Sequence, residues 1–182
     1  MLNLWLIGVL GLSLALAVII IYCTTLLALL IYVLQRTYIK VPTLRTSKDD
    51  LRELIRDEFF GEDNVIYDLG SGNGETIFEI EKLTTARTFG YEMSIPPFAI
   101  SFMRKILHRY KTKIYFKNFL KINIPSATII YTYLGKRSMI DLEPSLVKFL
   151  GSGLKFISCD FPLPNINPSY LRRYKKHTFY IS

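Results

Sequence analysis

Residues 65–74 read VIYDLGSGNG, a strand-forming run that leads into an acid and three glycines at alternate positions. The run predicts a buried strand over Val65–Leu69, and a helix follows from about Glu75 to Leu83. A glycine-rich turn between such elements lets backbone amides approach a bound molecule with no Cβ in the way. The stretch therefore indicates either a tight strand-to-helix turn or a ligand-binding loop.

Strands and helices alternate along the rest of the chain. Besides these two elements, the pattern predicts a helix from the Ser47 cap to Gly61, strands at Thr88–Glu92, Ile114–Lys117, Ala127–Leu134, Leu154–Phe161 and His177–Ile181, and helices at Ile95–Tyr110 and Arg137–Leu150. This alternation predicts an α/β fold with a Rossmann-like, doubly wound, mostly parallel sheet. Little sequence follows the sixth strand, so we expect the customary seventh strand to be missing.

The N-terminal segment has a different composition from the rest of the chain. Residues 1–35 contain no Lys, Arg, Asp or Glu, and residues 4–34 are almost continuously apolar. A helix of that length exceeds the hydrocarbon core of about 30 Å, whereas two spans would need roughly 40 residues and a turn. A signal peptide would need positive charge before a shorter apolar stretch. We therefore predict a membrane anchor over 1–35, a linker over 36–46 and a folded domain over 47–182.

Charge on either side of this segment predicts its orientation. Arg36, Lys40, Arg45 and Lys48 follow the apolar run, and only the terminal amine precedes it. Positive residues flanking a span remain on the cytoplasmic side. The sequence predicts a single-pass membrane protein whose anchor, residues 4–34, contacts the lipid bilayer and whose domain is cytoplasmic.

The acid before the glycines indicates which kind of molecule the loop would bind. Dinucleotide sites space their glycines G-x-G-x-x-G, whereas this chain has Asp68 followed by Gly70, Gly72 and Gly74. An acid beside a pyrophosphate is unfavourable, but it suits a cationic ligand such as S-adenosylmethionine, which carries a sulfonium and an α-ammonium group. Glu92 ends the second strand, where an acid can accept both ribose hydroxyls. In the alternative interpretation the glycines form only a turn and Glu92 is a surface charge.

Two of these segments, DLGSGNG and GYEM, resemble motifs I and II of the class I S-adenosylmethionine-dependent methyltransferases. Further segments resemble the protein-lysine methyltransferase family, which includes the ATP synthase c-subunit lysine methyltransferases and archaeal relatives. The similarity covers about residues 38–182, and the additional segments are VPT (41–43), NFL (118–120), YTYLG (131–135) and SCDFPLP (158–164).

The resemblance implies a role for each matching residue. Asp68 and the loop would hold the methionine end of S-adenosylmethionine, Glu92 its ribose, and Asn118 and Phe119 its adenine. Pro42 and Thr43 would close over the cofactor. Many class I enzymes have an acid at the Asn118 position, although an amide oxygen can also accept the adenine amino group. The predicted cofactor-binding residues are Thr43, Asp68, Gly70, Ser71, Gly72, Gly74, Glu92, Met93, Asn118 and Phe119.

The methyl acceptor is expected at the end of the fourth strand. Tyr131 and Tyr133 lie there and are the candidate catalytic residues, since their hydroxyls could orient an amine; they could equally be ordinary strand aromatics. The resemblance implies a protein lysine as acceptor, and the anchor favours a membrane-associated protein. A lipid or quinone acceptor and a non-catalytic module that binds S-adenosylmethionine remain alternatives.

Other sequence features argue against metal or nucleic-acid chemistry. His108 and His177 are isolated, Cys23 lies in the apolar segment and Cys159 in a strand, so no metal site is predicted. The Asp160-Phe-Pro-Leu-Pro stretch is similar to the D-P-P-Y tetrad of enzymes that methylate flipped bases, but that tetrad follows the fourth strand. No nucleic-acid partner is expected. The basic run 171–177, LRRYKKH, could contact anionic lipid or simply connect two elements.

Overall fold

A computed structural model of the chain describes residues 2–39, 44–58, 60–121, 124, 126–150 and 153–182. Its contacts divide the chain into two compact units, Met1–Lys40 and Val41–Ser182. The predicted division into anchor, linker and domain at residues 35 and 46 stays a prediction.

The first unit is one continuous helix, α1 (Leu2–Ile39). Within it, Val9–Val33 is apolar and long enough to cross a membrane, and no part of this stretch is buried in the protein. The Thr24 and Thr25 hydroxyls donate to carbonyls of the preceding turn, Thr24 to Ile20 at 2.9 Å and Thr25 to Tyr22 at 2.8 Å. The hydroxyls of Thr24 and Thr25 therefore have hydrogen-bond partners within the helix, and the predicted single apolar helix is confirmed.

The second unit alternates strands and helices as the sequence predicts. Its elements are α2 (Lys48–Glu58), β1 (Val65–Leu69), α3 (Glu75–Leu83), β2 (Arg87–Glu92), α4 (Ile95–His108), β3 (Lys113–Phe116), a 3₁₀ turn (Phe119–Lys121), β4 (Ile129–Thr132), α5 (Lys136–Leu150), β5 (Lys155–Cys159), β6 (Tyr170–Arg173) and β7 (Thr178–Ile181).

These strands form one seven-stranded sheet in the order β3-β2-β1-β4-β5-β7-β6. The first five strands in chain order are parallel, and β7 is antiparallel to both of its neighbours, β5 and β6. The order reverses at β1, so the carboxyl ends of β1, β2 and β4 meet at one crevice, where open α/β sheets bind ligands. The predicted Rossmann-like, mostly parallel fold is confirmed.

The expectation that a seventh strand is missing is wrong. Residues Tyr170–Arg173 form β6 at the edge of the sheet and pair with β7. Three of them belong to the basic run 171–177, for which the sequence analysis considered lipid contact or a connector but not a strand. All four are exposed, so they lack the apolar alternation that identifies a half-buried strand. Charged side chains are typical of edge strands because they discourage pairing with other chains.

The core consists of two apolar layers, one on each face of the sheet. Consecutive residues of β1 alternate between them: Ile66 lies in the layer that includes α2 and α3, and Tyr67 lies in the layer that includes α5. All five residues of β1 are buried, as expected for a central parallel strand. The strand carrying the acid-and-glycine motif is therefore fixed from both sides.

Acidic side chains of α2 connect this helix to the end of the chain. Asp50 is buried, and its Oδ2 accepts the backbone N–H groups of Lys176 and His177, each at 2.8 Å. Glu58 is also buried and accepts hydrogen bonds from Tyr170 and Arg172 of β6, and from Lys155 of β5. Both carboxylates thus link α2 to strands that are distant in sequence.

Candidate active site

The loop after β1 depends on glycine at two positions for different reasons. Gly74 has φ +81°, and a Cβ there would lie 2.4 Å from the Phe78 ring. Gly72 has φ +56°, but a Cβ there would meet nothing within 4 Å. Gly74 is thus required by packing against α3, whereas Gly72 leaves open space above the loop.

Asp68 is a buried acid with an unusual environment. Only 3% of it is exposed, and within the described part of the chain its carboxyl group has no hydrogen bond or ion pair. Burial first, and then the neighbouring Glu92 carboxyl, raise the pKa of Asp68 to about 8. A cation beside this carboxyl would favour its ionised form.

Glu92 lies at the carboxyl end of β2, as predicted, and its carboxylate holds the glycine loop. Oε2 accepts the N–H of Gly72 at 2.9 Å, and Oε1 accepts the N–H of Ser94 at 2.6 Å. Burial raises the pKa of Glu92, and these backbone hydrogen bonds oppose the rise. Glu92 is therefore not a free surface charge.

A cleft of about 380 Å³, counted together with its opening to solvent, lies above this edge of the sheet. It is lined by residues from the segment before α2, from the glycine loop and from the end of β4: Leu44, Arg45, Asp68, Gly70, Ser71, Gly72, Asn73, Glu75, Thr76, Tyr131 and Tyr133. The structure thus brings Asp68, much of the glycine loop and both predicted tyrosines into one site. Sequence reasoning did not identify Leu44, Arg45, Asn73, Glu75 and Thr76.

Five of the other predicted cofactor residues do not line this cleft: Gly74, Glu92, Met93, Asn118 and Phe119. Thr43, like Pro42, lies outside the described residues. Phe119 is buried in the core, and Asn118 uses its amide oxygen to accept the N–H of Leu120 at 2.9 Å. Met93 packs against the same core layer as Phe119. Their roles remain predictions.

Tyr131 lies beside Asp68, which is its partner across the β1–β4 pair. Its side chain is buried, and its hydroxyl shares a hydrogen bond of 2.5 Å with Oγ1 of Thr46. Burial raises the pKa of Tyr131 well above its ordinary value, so the phenol stays neutral. Tyr131 therefore connects the segment before α2 to the floor of the cleft.

Tyr133 is oriented by an acid that the sequence analysis did not assign to the site. Its hydroxyl donates to Oδ2 of Asp160 at 2.5 Å. Burial and this hydrogen bond raise the pKa of Tyr133 above its ordinary value. Because the phenol proton is directed to Asp160, the lone pairs of the oxygen are left to accept a hydrogen bond.

Asp160 follows β5 with a left-handed backbone, φ +60°, and collects three hydrogen bonds. Besides Tyr133, its carboxylate accepts the N–H of Thr178 at 3.0 Å and contacts Nδ1 of His177 at 2.8 Å. Burial raises the pKa of Asp160, but the hydrogen bonds outweigh it and the net direction is downward. His177 is thus not an isolated surface residue, since its side chain is only 11% exposed. The Asp160-Phe-Pro stretch was noted in the sequence only for its similarity to a nucleic-acid tetrad and did not indicate this cluster.

Cys159, Asp160 and His177 place three potential metal-ligand atoms within 4.8 Å of one another. Spacing along the sequence could not indicate this group, because the fold brings it together. The Asp160–His177 contact occupies two of the three side chains, and burial raises the pKa of the Cys159 thiol. The absence of a metal stays a prediction.

Comparisons with known proteins agree with this geometry. Residues 68–170, more than half of the chain, match the family model described as the ANTKMT methyltransferase domain. A curated protein-lysine N-methyltransferase of Saccharolobus islandicus (strain REY15A) is 25% identical over 148 residues, which cover 78% of this chain and 92% of that relative.

Solved structures with the same fold cover nearly the same part of the chain. An RNA methyltransferase from Salinibacter ruber, in complex with S-adenosyl-L-homocysteine, has a TM-score of 0.69 and 22% identity over 76% of this chain and 92% of its own. A ribosomal protein L11 methylase from Lactobacillus delbrueckii subsp. bulgaricus has a TM-score of 0.61 and 16% identity, covering 77% of this chain and 81% of its own. At these identities the similarity establishes the fold.

Proposed function

The chain belongs to the ANTKMT methyltransferase family, and on that premise we propose that it methylates a lysine of a membrane-associated protein. The resemblance predicted from the sequence motifs is thereby confirmed, and the chain is a methyltransferase that uses S-adenosylmethionine. The lysine acceptor is supported by the name of the archaeal relative. The observation that carries the proposal is the cleft that Asp68 and the glycine loop share with Tyr131 and Tyr133.

The donor set of the cleft suits the methionine end of S-adenosylmethionine. Asp68 is a buried acid that lines the cleft, and in the described residues no cation neutralises it. The α-ammonium and sulfonium groups of the cofactor are both positive, so binding would offset the cost of ionising Asp68. Gly70, Ser71 and Gly72 would provide backbone close to the ligand. When bound, S-adenosylmethionine supplies an electrophilic methyl group that an amine can attack.

The remaining cofactor contacts are assigned to residues at the same edge of the sheet. Glu92 would bind the ribose while keeping its bonds to Gly72 and Ser94, because each carboxylate oxygen can accept more than one hydrogen bond. We assign the adenine side to Met93, Asn118 and Phe119. Gly74 shapes the loop, and Thr43 would close over the ligand.

Tyr131 and Tyr133 are proposed to position the acceptor amine. The Tyr133 oxygen is available as an acceptor because its proton is bonded to Asp160. The ionised Asp160 carboxylate behind it favours the approach of a positively charged lysine. A lysine that enters a desolvated cleft has a lowered pKa and loses its proton more easily. These side chains therefore need only orient and desolvate the amine.

Membrane anchoring is the second part of the proposal. Val9–Val33 of α1 is apolar, lies within an uncharged segment and is followed by positive residues. This pattern supports a single span with the catalytic domain on the cytoplasmic side. An acceptor in or beside the same bilayer would then be held near the enzyme.

The experiment is to incubate membranes containing the full chain with methyl-labelled S-adenosylmethionine. We expect label in a trypsin-sensitive protein band, and methyl-lysine after acid hydrolysis of that band. Label that extracts into organic solvent would identify a lipid or quinone acceptor instead. Binding of the cofactor without transfer to either fraction would identify a non-catalytic module.

Two carboxyl variants control this assay. Asp68→Asn removes the proposed cofactor carboxylate, and Asp63→Asn changes an exposed acid in the turn before the same strand. We expect transfer to be lost in the first variant and retained in the second. Equal transfer by Asp68→Asn and the unmodified chain would contradict the site assignment. Release of the chain from membranes by alkaline carbonate would contradict the anchor without affecting that assignment.

A further inference from the structure

Helix α4 (Ile95–His108) exposes an apolar face in place of burying one. Its only fully buried residue is Ser101, and Phe98 is partly buried against the core. At 100° per residue the exposed residues form a continuous stripe along the helix. We define the α4 apolar stripe as Ile95, Ala99, Ile100, Phe102, Met103, Ile106 and Leu107. Met103 and Ile106 are each 61% exposed and Leu107 is 72% exposed. The stripe contains no charged residue.

The exposed apolar surface extends to the edge strand next to the helix. Phe116 at the end of β3 is 50% exposed, and its ring lies 5.4 Å from the ring of Phe98. β3 is the terminal strand on this side of the sheet. Soluble monomers rarely expose a contiguous apolar patch of this kind unless it binds something.

The surrounding charge indicates what the stripe binds. Residues 93–121 contain seven cations and no acid: Arg104, Lys105, Arg109, Lys111, Lys113, Lys117 and Lys121. The chain has 23 cations and 15 acids, so the other 16 cations almost balance the acids, and this segment supplies nearly all of the net +8. Two acids from outside the segment contact it: Glu75 pairs with Arg104 at 3.2 Å, and Glu81 accepts the backbone N–H groups of Lys111 and Thr112. An apolar helix face within a mostly cationic surface is typical of proteins that lie on anionic membranes.

If α1 spans a bilayer, the length of the linker limits how far the start of α2 can lie from it. The eight residues between Ile39 and Lys48 reach at most about 28 Å when fully extended. We therefore propose that the α4 apolar stripe and its cationic surroundings dock on the anionic surface of the membrane that α1 crosses. This inference rests on the anchor in the proposed function. Nucleic acid fits less well, because phosphates would leave the large apolar residues exposed.

Docking of α4 would also orient the catalytic cleft. Ile95 begins α4 three residues after Glu92, and Oε1 of Glu92 accepts the N–H of Ser94 between them. The end of the stripe therefore lies at the rim of the proposed cofactor site. A membrane-associated acceptor would meet that rim at the bilayer surface.

The test measures the immersion of a spin label on α4 in the full chain. The chain carries Cys23→Ser, and Cys159 is buried; Met103→Cys is labelled and reconstituted into vesicles with anionic lipid. Val147→Cys on α5 is the matched control, because Val147 is an exposed apolar residue, 56% exposed, on a different helix. We expect the ratio of oxygen to nickel-complex collisions to be several-fold higher at position 103 than at position 147.

Each other outcome of this measurement has a distinct meaning. Equal ratios in chains that float with the vesicles overturn the proposal and leave the anchor intact, whereas failure to float overturns the anchor. Spin–spin broadening at position 103 in detergent shows that a second copy covers the stripe and also overturns the proposal. Protection of the label at position 103 by RNA but not by lipid would also overturn the proposal.

A charge substitution supplies an activity test. We expect Leu107→Glu in the full chain to lower methyl transfer to the membrane acceptor several-fold, with unchanged binding of S-adenosylmethionine. Val147→Glu should affect neither. Unchanged transfer by Leu107→Glu would contradict docking, and loss of cofactor binding would show damage to the fold.

Discussion

We expect Asp68 to govern how the proposed cofactor site responds to pH. Its pKa of about 8 lies above the ordinary value of 3.8 because burial and Glu92 disfavour the carboxylate. The folded protein therefore binds a proton at Asp68 between about pH 4 and about pH 8, where the unfolded chain does not. A positively charged ligand needs the ionised form, so its binding must release that proton.

We predict that S-adenosylmethionine binds more tightly as the pH rises from 6.5 to 8.5. Each pH unit below the pKa of Asp68 costs up to about tenfold in affinity, because the carboxyl must first ionise. Calorimetry in buffers with different ionisation enthalpies measures both the affinity and the released proton. Asp68→Asn should bind more weakly at both pH values with a reduced pH dependence, because Glu92 also has a raised pKa, whereas Asp63→Asn should behave as the unmodified chain does. A pH-independent affinity of the unmodified chain would refute this role.

Tyr133 provides the second prediction for a single side chain. Tyr133→Phe removes the hydroxyl that Asp160 orients, and we expect methyl transfer to fall about tenfold, the effect of losing a hydrogen bond to a charged group. Binding of S-adenosylmethionine should not change. Tyr115→Phe on β3 is the control for losing a partly buried phenol. A loss of cofactor affinity in Tyr133→Phe would show that Tyr133 serves the cofactor and not the acceptor.

Where a motif is local, the sequence predicted which residues lie together, and their roles remain predictions. Asp68, the glycines and Glu92 lie within 25 residues, and the register of two parallel strands brings them together. The cluster of Asp160, Tyr133 and His177 could not be predicted in this way. Its members come from three strands, and only the insertion of β7 beside β5 brings His177 to Asp160.

At the scale of single elements, the glycine loop combines two separable requirements. We predict that Gly74→Ala destabilises the protein by about 1–3 kcal/mol, because its Cβ meets Phe78 and its φ is positive. Gly72→Ala meets no neighbouring atom, so it should cost less stability and mainly weaken cofactor binding. Thermal denaturation and calorimetry of both variants separate the two effects. Equal loss of stability in the two variants would contradict this assignment.

Glu58 connects α2 to β5 and β6. Burial raises its pKa, but hydrogen bonds from Tyr170, Arg172 and Lys155 outweigh burial and hold the pKa below its ordinary value. A lowered pKa contributes stability that is present above pH 4.5, its ordinary value, and is lost as the pH falls through the folded pKa.

We therefore predict that Glu58→Gln lowers the free energy of unfolding by about 1–3 kcal/mol at pH 7, with a smaller difference near pH 3. Denaturant unfolding at both pH values measures this. Glu53→Gln, at a more exposed acid on the same helix, is the control. An equal difference at both pH values would show that the charge of Glu58 is not responsible.

How accurately the sequence predicted an element depended on how the side chains of that element are buried. β1 and α3 have the predicted bounds because one is mostly apolar and buried throughout and the other is amphipathic between glycine and polar residues. The basic edge strand β6 was missed because pairing with β7 determines its conformation. The exposure of the apolar face of α4 could not be predicted, since the helical period indicates an apolar stripe but not what covers it.

At the scale of the whole molecule, the fold class and the apolar helix could be predicted because composition and the alternation of strands and helices are averages over many residues.

The arrangement of α1 and the domain about a membrane is a prediction that can be tested directly. With Glu62→Cys in the exposed turn before β1, we expect a membrane-impermeant maleimide to react only on the cytoplasmic side of sealed vesicles. Cys23 within α1 serves as the internal control that stays unlabelled. Labelling of position 62 from the opposite side would reverse the orientation.

The position of β7 between β5 and β6 has a consequence for biosynthesis. Ribosomes make α1 first and Thr178–Ile181 late, yet the Asp160 cluster needs His177 and Thr178, and β6 cannot join the sheet before β7 exists. If α1 is the membrane anchor proposed above, a nascent chain would be targeted to the membrane before the Asp160 cluster could form. On the proposed roles of Tyr133 and Asp160, translation stalled before residue 177 would then leave an anchored polypeptide that cannot yet position a methyl acceptor.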